Sequence, residues 1–418
     1  MAGKTGFLVL SHQLLSMVEP IAEALHRRGV KTYVLASRSA RDVTARWEAD
    51  VELLHITDAH SLRRPDIDFF LKTLEEADVR LLGCLTVWDA YRELMAYAND
   101  RLGTADLTEE AVRGLRDKLA MRTRLREHGL SKVSAWPFDE SRFHGLTDRT
   151  RYFIKPCEGL ASLGAFRADR LGAVEELDAL WRKAQQDRAY DGVFQGRPAF
   201  LIEEFIDGIE CSFEVGVVRG TPTVHAVHEK VDLRQVGRTT LENACVCPPK
   251  SLSRSEVDEG IAYVTRCLQA LGADTGVYHV EARFQRDRGW ELVEANPRIG
   301  GAYIVASTRR HCGIDLLDRW ISLLLEELVE APESSGNSTF FRVYFGEPGR
   351  RIAQLESRPG EVDVLEEKLF VKEGELLPLV DREIFIGQTL WDTTGINPDA
   401  LDDFIRETEK HLKIEYSS

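Results

Sequence analysis

Apolar residues follow two alternating patterns along the first hundred positions of the chain. Short apolar runs typical of buried strands occur at residues 6–10, 31–36, 51–56 and 79–86. Apolar residues at helical spacing lie between and after these runs, at residues 14–28, 65–77 and 88–102. This order predicts a parallel sheet with helices on its faces. The first strand-to-helix turn lacks a GxGxxG pattern, so we expect one wall of a substrate cleft, or a scaffold, rather than a dinucleotide site.

From residue 107 onward, paired strand patterns and amphipathic helices replace this alternation. A linker-like composition at Ala331-Pro-Glu-Ser-Ser-Gly-Asn-Ser338 precedes a last part rich in strand patterns, with a closing helix predicted at 398–412. We therefore predict a mixed α/β and α+β protein whose four parts are residues 1–106, 107–198, 199–332 and 333–418. The last part could complete a substrate pocket or build a dimer surface, and the sequence leaves both open.

Composition narrows the class of protein. A hydrophobic content of 43% and a charged content of 29% are ordinary for a soluble enzyme, and the net charge of −15 would repel a nucleic-acid backbone. The seven cysteines are scattered without CxxC spacing, which favours reduced thiols in the cytoplasm. No apolar run approaches the roughly 18 residues of a membrane span. We expect a cytoplasmic protein that binds small molecules, and neither nucleic acid nor membrane.

One pair of predicted strands carries the most informative polar residues. Residues 277–284 and 290–294 predict a hairpin with a turn at 286–289, which would bring Glu281 opposite Glu294. Asn296 follows two residues later on the same face, and Arg298 two residues after that. Carboxylate and amide oxygens are the ligands that magnesium prefers when it is held against phosphates. The alternative is a hairpin with solvated charges.

Two further stretches could bind a nucleotide. A strand delivers Lys155 into the loop Glu158-Gly-Leu-Ala-Ser162-Leu-Gly164, whose small residues could fold over phosphates, although the Walker pattern is missing and an ordinary hairpin turn is as good an explanation. The strand end Glu203-Glu204-Phe-Ile206 could present backbone groups to an adenine ring. Glu210, at the start of the next strand, could accept hydrogen bonds from ribose hydroxyls.

Taken together, these motifs resemble the ATP-grasp superfamily. Lys118, Lys155 with its loop, Glu203 to Ile206 with Glu210, and the Glu281, Glu294, Asn296, Arg298 set occur in that family's order over roughly residues 105–330. The chain is most similar to the carboxylate–amine ligases that include bacterial L-amino acid ligases making dipeptides. The resemblance implies an ATP-grasp fold in residues 107–332, with an N-terminal Rossmann-like domain and a small β-rich C-terminal domain.

The resemblance also implies roles for individual residues. Lys118 and Lys155 would contact the α- and β-phosphates of ATP, with Glu158 and Ser162 in a loop over the β- and γ-phosphates. Residues 203–206 would hold adenine and Glu210 ribose. Glu281, Glu294 and Asn296 would bind two magnesium ions, for which manganese could substitute. Arg298, as a catalytic residue with Lys155, would steady the oxyanion of an acyl phosphate.

The implied activity is formation of an amide from a carboxylate and an amine, with release of ADP and phosphate. The region of His228, Lys230 and Glu242 lines the amino acid site in the resembling ligases, and Arg298 and Gly301 are assigned to the substrate as well. For His228, Lys230 and Glu242, an equally good alternative is that they are surface loop residues without a role in substrate binding. Two other functions stay open: transfer to a carrier-bound or non-amine acceptor, and non-catalytic ATP binding. A homodimer is common in the family.

Overall fold

A computed structural model describes most of the chain. The described residues are 4–13, 17–39, 51–159, 163–187, 199–236, 239–327, 335–358, 360, 362–380 and 383–417. Among them, no helix combines the length and the apolar character that crossing a membrane requires.

The N-terminal part is a parallel sheet with helices, as the alternating pattern predicts. Its strands are β1 (Lys4–Ser11), β2 (Lys31–Ala36), β3 (Leu53–Ile56) and β4 (Val79–Leu85), and its helices are α1 (Val18–His26), α2 (Arg64–Glu76) and α3 (Arg92–Leu102). The strand order is β3-β2-β1-β4, with every pair parallel. The order reverses between β1 and β4, and in open α/β sheets ligands bind outside the carboxyl ends of strands at such a point.

A small antiparallel sheet and four helices follow. The helices are α4 (Glu109–Arg116), α5 (Lys118–Glu127), α6 (Glu140–Gly145) and α7 (Glu175–Gln186), and the strands, in the order β5-β8-β6-β7, are β5 (Ala135–Pro137), β6 (Tyr152–Pro156), β7 (Phe166–Arg167) and β8 (Phe200–Glu204). The Asp117 side chain caps α5 by accepting hydrogen bonds from the amides of Leu119 and Ala120. The cap explains why α5 begins at Lys118, which therefore lies at the end of a helix.

A large antiparallel sheet forms the centre of the molecule. Its order is β13-β12-β9-β10-β11-β14-β17-β16, and its strands are β9 (Ile209–Val218), β10 (Thr221–Val236), β11 (Thr239–Cys247), β12 (Gly276–Gln285), β13 (Gly289–Asn296), β14 (Thr339–Gly346), β16 (Val364–Leu369) and β17 (Ile384–Asp392). The helices of this part are α8 (Arg254–Leu271), α9 (Ile304–Cys312) and α10 (Leu316–Leu324). Strand β14 pairs with β11, so the strands after residue 338 extend the sheet across the expected boundary at 332.

The C-terminal part also contains β15 (Ile352–Ser357), α11 (Pro398–Glu407) and β18 (Leu412–Tyr416). The helix predicted to reach residue 412 ends at Glu407, because the chain then turns to pair β18 with β15. The alternating apolar residues of 412–416 fit a short strand as well as a helix end, so the helical prediction was wrong there.

Alternation along the strands divides the large sheet into an apolar face and a polar face. On β9 and β12 the apolar residues Cys211, Phe213, Val215, Val280 and Ala282 are buried in a core shared with α8. The residues between them, among them Glu210, Glu214, His279 and Glu281, point to the opposite face. The apolar face packs against α8. The polar face is therefore the side of the sheet on which a site can form.

Helix α8 lies so close to the sheet that one of its positions admits only glycine. A Cβ at Gly260 would come within 2.6 Å of the Trp290 ring and 2.9 Å of Phe213. The Trp290 indole cannot easily retreat, because its Nε1 donates to the Glu256 carbonyl oxygen at 2.8 Å.

We predict that Gly260→Ala lowers the free energy of unfolding by about 1–3 kcal/mol, because the added methyl overpacks this contact. Gly114→Ala in α4 is the matched control, since a Cβ there meets nothing within 4 Å. It should raise the stability by up to about 1 kcal/mol through helix propensity. Urea denaturation of both variants tests this, and equal effects of the two substitutions would contradict the packing argument.

Candidate active site

A cleft lies between the small sheet and the polar face of the large sheet. Its lining comprises Asp89, Lys118, Phe153, Lys155, Pro156, Gly159, Leu163, Ala165, Glu203, Phe205, Ile206, Glu210, Glu242, Glu281, Arg283, Val293, Glu294, Asn296 and Arg298. Both apolar and ionisable groups line the cleft. This combination suits a ligand with a flat apolar moiety and a charged moiety.

The β12–β13 hairpin is formed as predicted. Its register pairs Glu281 directly with Glu294, and the turn lies between Gln285 and Gly289. Asn296 ends β13, and its Nδ2 donates to Glu294 Oε1 at 2.9 Å. The two carboxylates and the amide therefore converge on one side of the sheet, where they are partly or fully buried.

Each carboxylate of this hairpin has a cationic partner from another element. Lys118 Nζ lies 3.0 Å from Glu294 Oε2, and Lys230 Nζ lies 3.0 Å from Glu281 Oε1. Burial raises the pKa of Glu294, but Lys118 and the Asn296 amide outweigh it and hold that pKa well below its usual range. Burial lowers the pKa of Lys118, and Glu294 more than offsets this. Both groups are therefore charged at neutral pH.

A buried histidine is hydrogen-bonded to Glu281. His279 donates from Nδ1 to Glu214 Oε1 at 2.8 Å and from Nε2 to Glu281 Oε1 at 3.2 Å. Burial lowers the pKa of His279, but the two carboxylates raise it to about 10, so the ring is an imidazolium. Gly300 is needed beside it, since a Cβ there would come 2.8 Å from His279 Nδ1. Sequence reasoning missed His279, although its position two residues before Glu281 on a strand could have indicated it.

A second buried ion-pair group surrounds Lys155. Lys155 Nζ lies 2.5 Å from Glu203 Oε1, and Arg122 Nε lies 3.4 Å from Glu203 Oε2. Burial lowers the pKa of Lys155, and Glu203 offsets only part of this lowering. Burial raises the pKa of Glu203, but Lys155 and Arg122 bring it below its usual value. Arg122, itself fully buried and also paired with Glu291 at 2.5 Å, carried no signal in the sequence beyond its place in a helix.

Three carboxylates meet around Lys230. Lys230 Nζ lies 2.8 Å from Glu210 Oε1 and 2.6 Å from Glu242 Oε1, in addition to its contact with Glu281. Arg283 Nε donates to Glu210 Oε2 at 2.6 Å, and Arg283 also donates to the Ile206 carbonyl oxygen at 2.5 Å. Burial raises the pKa of Glu210, but Lys230 and Arg283 lower it to about 2. For Glu242, burial prevails over Lys230 and raises the pKa.

Several predicted residues lie away from the cleft lining. His228 is fully buried, and its Nε2 is hydrogen-bonded to Ser307 Oγ at 2.8 Å, so it packs beneath the site. Glu204 accepts from the Ser134 amide at 2.8 Å and lines a separate polar pocket. Gly301 is exposed in the loop after Arg298. The structure does not bring these three residues to the cleft, because packing and strand alternation direct them elsewhere.

Two predicted residues, Glu158 and Ser162, follow β6 in the sequence. Glu158 is about half exposed, with Oε2 at 4.0 Å from Arg116. Ser162 lies outside the described residues.

Comparison with known proteins identifies the part of the chain that carries this cleft. Residues 149–306 match the family described as an ATP-grasp domain, and this range includes Lys155, Glu281, Glu294 and Arg298. Residues 149–306 therefore carry the likeness to an ATP-grasp domain. Lys118 lies before the matched range and contacts it through its ion pair with Glu294.

Curated relatives share part of this chain. Human (Homo sapiens) carnosine synthase 1 is 24% identical over 257 residues, which cover 57% of this chain and 30% of the human protein. Chicken (Gallus gallus) carnosine synthase 1 is 30% identical over 139 residues, 33% of this chain and 14% of the relative. The chain thus spans less than a third of the length of these two relatives.

Solved structures share the whole fold. The L-amino acid ligase from Bacillus licheniformis superposes with a TM-score of 0.80 at 20% identity, with 100% of both chains covered. Phosphoribosylglycinamide synthetase from Anaerococcus prevotii gives a TM-score of 0.69 at 14% identity, covering 99% of this chain and 100% of the other. These likenesses establish the fold around the ATP-grasp domain.

We predict that His279→Ala lowers the free energy of unfolding by about 1–3 kcal/mol, because buried Glu214 loses its hydrogen-bonded cation. Adding Glu214→Gln should recover part of the loss, since no uncompensated buried charge then remains. Urea denaturation measures both.

The exposed His144 on α6 provides the control, and His144→Ala should change the stability by less than about 0.5 kcal/mol. A double variant that is no more stable than His279→Ala would show that the charge of Glu214 is not the cause.

Proposed function

We propose that the protein is an ATP-dependent, ADP-forming carboxylate–amine ligase. It would join an amino acid or a small carboxylic acid to an amino acid through an acyl phosphate. The observation that carries the proposal is the convergence in one cleft of two lysines, one arginine and three oxygen donors, namely Lys118, Lys155, Arg298, Glu281, Glu294 and Asn296. Phosphoryl transfer needs this combination, because its catalysis is mainly alignment and neutralisation of charge.

The donor set of the hairpin fits magnesium. ATP-grasp enzymes bind ATP and Mg²⁺. Glu281, Glu294 and Asn296 offer hard oxygen ligands from neighbouring strand positions, and this is the ligand type that magnesium takes. These residues would hold the ion, which would neutralise phosphate charge when bound. His279 and the register of the hairpin keep Glu281 and Glu294 in place for that role.

The rest of the cleft fits a nucleotide. Phe153, Phe205 and Ile206 form an apolar wall beside the ionisable groups, suited to an adenine ring. Lys118 and Lys155 reach the cleft from different elements and can contact phosphate oxygens, although each is paired with a glutamate. Glu210 pairs with Lys230 and Arg283. Its carboxylate oxygens have further lone pairs, so it can still accept a hydrogen bond from a ribose hydroxyl.

The reaction would proceed in two displacements. The carboxylate oxygen of the first substrate attacks the γ-phosphorus, the bond to the bridging oxygen breaks, and ADP leaves. The amine nitrogen of the second substrate then attacks the acyl carbon, the bond from that carbon to the phosphate oxygen breaks, and the proton lost by the nitrogen passes to the departing phosphate. Arg298 would stabilise the negative oxygen that develops at the acyl carbon, as fixed cations do in such sites. A protein nucleophile is not required.

Substrate recognition rests on fewer observations. Glu242 lines the cleft and is 37% exposed at its side chain, which leaves it able to meet a substrate ammonium group. Lys230 is fully engaged by three carboxylates and would act by fixing Glu242. The names of the similar proteins, an L-amino acid ligase and carnosine synthase 1, support amino acids as substrates.

Three further proposals rest on the sequence. Binding of two metal ions and a homodimer follow from the family resemblance. A cytoplasmic location follows from the seven scattered cysteines, all of which are unbridged and buried.

We predict that ADP and phosphate form from ATP and Mg²⁺ only when a suitable acid and amine are paired. Glu294→Gln should reduce this turnover by at least about a hundredfold, because one oxygen ligand and one carboxylate charge are lost. Testing a matrix of L-amino acids and small carboxylic acids, with chromatographic separation of nucleotides and products, identifies both substrates.

The control is Asp287→Asn in the turn of the same hairpin, where the side chain is 81% exposed. It should keep wild-type turnover. AMP and pyrophosphate as products, or full activity of Glu294→Gln, would rule out the proposed mechanism.

A further inference from the structure

Asp89 is an unassigned carboxylate at the edge of the cleft. Among the described residues of 1–106, it alone lines the cleft. It follows β4 at the point where the strand order of the parallel sheet reverses, and this is where such sheets place functional loops. Its side chain is only 6% exposed. The N-terminal part of the chain therefore contributes a buried carboxylate to the cleft.

The Asp89 carboxylate lies between two arginines. Arg116 Nε donates to Asp89 Oδ2 at 3.3 Å, while Asp89 Oδ1 lies 3.5 Å from Arg298 Nε. Neither Asp89 Oδ1 nor Arg298 Nε has a hydrogen-bond partner among the described residues, and both atoms are buried. The two atoms therefore face each other as an ion pair, in which each charge compensates the other.

The loop that carries Asp89 is held on both sides. The Trp88 ring stacks on His12, with ring centroids 4.5 Å apart, and the Tyr91 amide donates to the Trp88 carbonyl oxygen at 2.9 Å. Tyr91 OH is in turn hydrogen-bonded to His12 Nδ1 at 3.0 Å. Asp89 is therefore a rigid support rather than part of a loose surface loop.

The backbone beside Arg298 is already fixed without Asp89. The fully buried Arg92 donates from Nε to the Pro297 carbonyl oxygen at 2.9 Å, and the Arg298 amide donates to the Asn296 carbonyl oxygen at 2.8 Å. The guanidinium itself has only one further hydrogen bond among the described residues, to the Ile299 carbonyl oxygen at 2.9 Å. The long side chain thus needs a second restraint to keep one direction.

We propose that Asp89 is a positioning residue that holds the Arg298 guanidinium in place for catalysis. Arg116 fixes Asp89, and Asp89 aligns Arg298 from the Nε side, while Nη1 donates to the Ile299 carbonyl oxygen, which leaves Nη2 to face the reacting oxygen. The carboxylates of Glu281 and Glu294 line the same cleft and would otherwise compete for the guanidinium. The inference deepens the proposed ligase function and rests on it. A purely structural role, in which Asp89 only joins two domains, is the alternative.

The first test is kinetic. Asp89→Asn keeps the size of the side chain and removes its charge. With a substrate pair found in the matrix assay, kcat should fall by about tenfold or more, while the KM for ATP changes less than about twofold. Asp89→Glu, which keeps the charge, should recover part of the loss. In an Arg298→Lys background, Asp89→Asn should have little further effect, because the group it positions is gone.

The matched control is Glu93→Gln. Glu93 pairs with Arg116 at 3.1 Å and Asp89 pairs with it at 3.3 Å, but Glu93 has no contact with Arg298 among the described residues. This variant should keep wild-type kcat. Equal loss in Glu93→Gln and Asp89→Asn, or an undiminished effect of Asp89→Asn in the Arg298→Lys background, would overturn the proposal.

A second test does not depend on turnover. The Nε–H resonance of Arg298 in ¹⁵N-labelled full-length protein, assigned by its loss in Arg298→Lys, should move toward the position of exposed arginines in Asp89→Asn. An unchanged resonance in a variant with wild-type melting temperature would overturn the proposal. If wild-type protein consumes no ATP with any substrate pair, the ligase function fails, while this resonance still decides whether Asp89 holds Arg298.

Discussion

The site depends on a single electrostatic constraint, which is that every carboxylate buried in the cleft needs a cation beside it. A buried charge without a partner is far more costly than one in water. Six glutamates of the cleft and of the layer beneath it each place one carboxylate oxygen within 3.0 Å of a cationic nitrogen, in the pairs Glu203–Lys155, Glu210–Lys230, Glu214–His279, Glu242–Lys230, Glu281–Lys230 and Glu294–Lys118. Without these cations, so many glutamates could not share one small volume.

The partners come from different parts of the chain, so the constraint also joins the layers. Lys118 begins α5, and its ammonium pairs with Glu294 on the large sheet. Lys155 on β6 pairs with Glu203 on β8 within the small sheet, and Arg122 of α5 bridges from Glu203 to Glu291 on β13. The two sheets that enclose the cleft are therefore connected by the same kind of charges that the proposed chemistry requires.

These ion pairs bear on the proposed function because that function would require them to exchange partners. A buried ion pair contributes little net stability compared with a well-packed apolar pair. In the proposed reaction, a lysine would exchange its glutamate for a phosphate oxygen, and that glutamate would exchange the lysine for a metal ion. Each charge would then still be compensated. The apolar face of the same sheet, packed on α8, supplies the stability that the polar face does not. A sheet with two such faces can hold a polar site without losing its core.

The sequence by itself determined the local elements and the register of one hairpin. The period of apolar residues predicted the parallel N-terminal sheet, and the turn at 286–289 predicted that Glu281 faces Glu294, since antiparallel register follows from turn length and alternation. Only the tertiary structure decided which long-range partners these residues have. His228 turned out to lie beneath the cleft, while Asp89, Arg122 and His279 became part of it or its support. Local periodicity is set by backbone geometry within a few residues, whereas charge compensation also joins positions as far apart in the chain as Lys118 and Glu294, and no local pattern encodes such pairs.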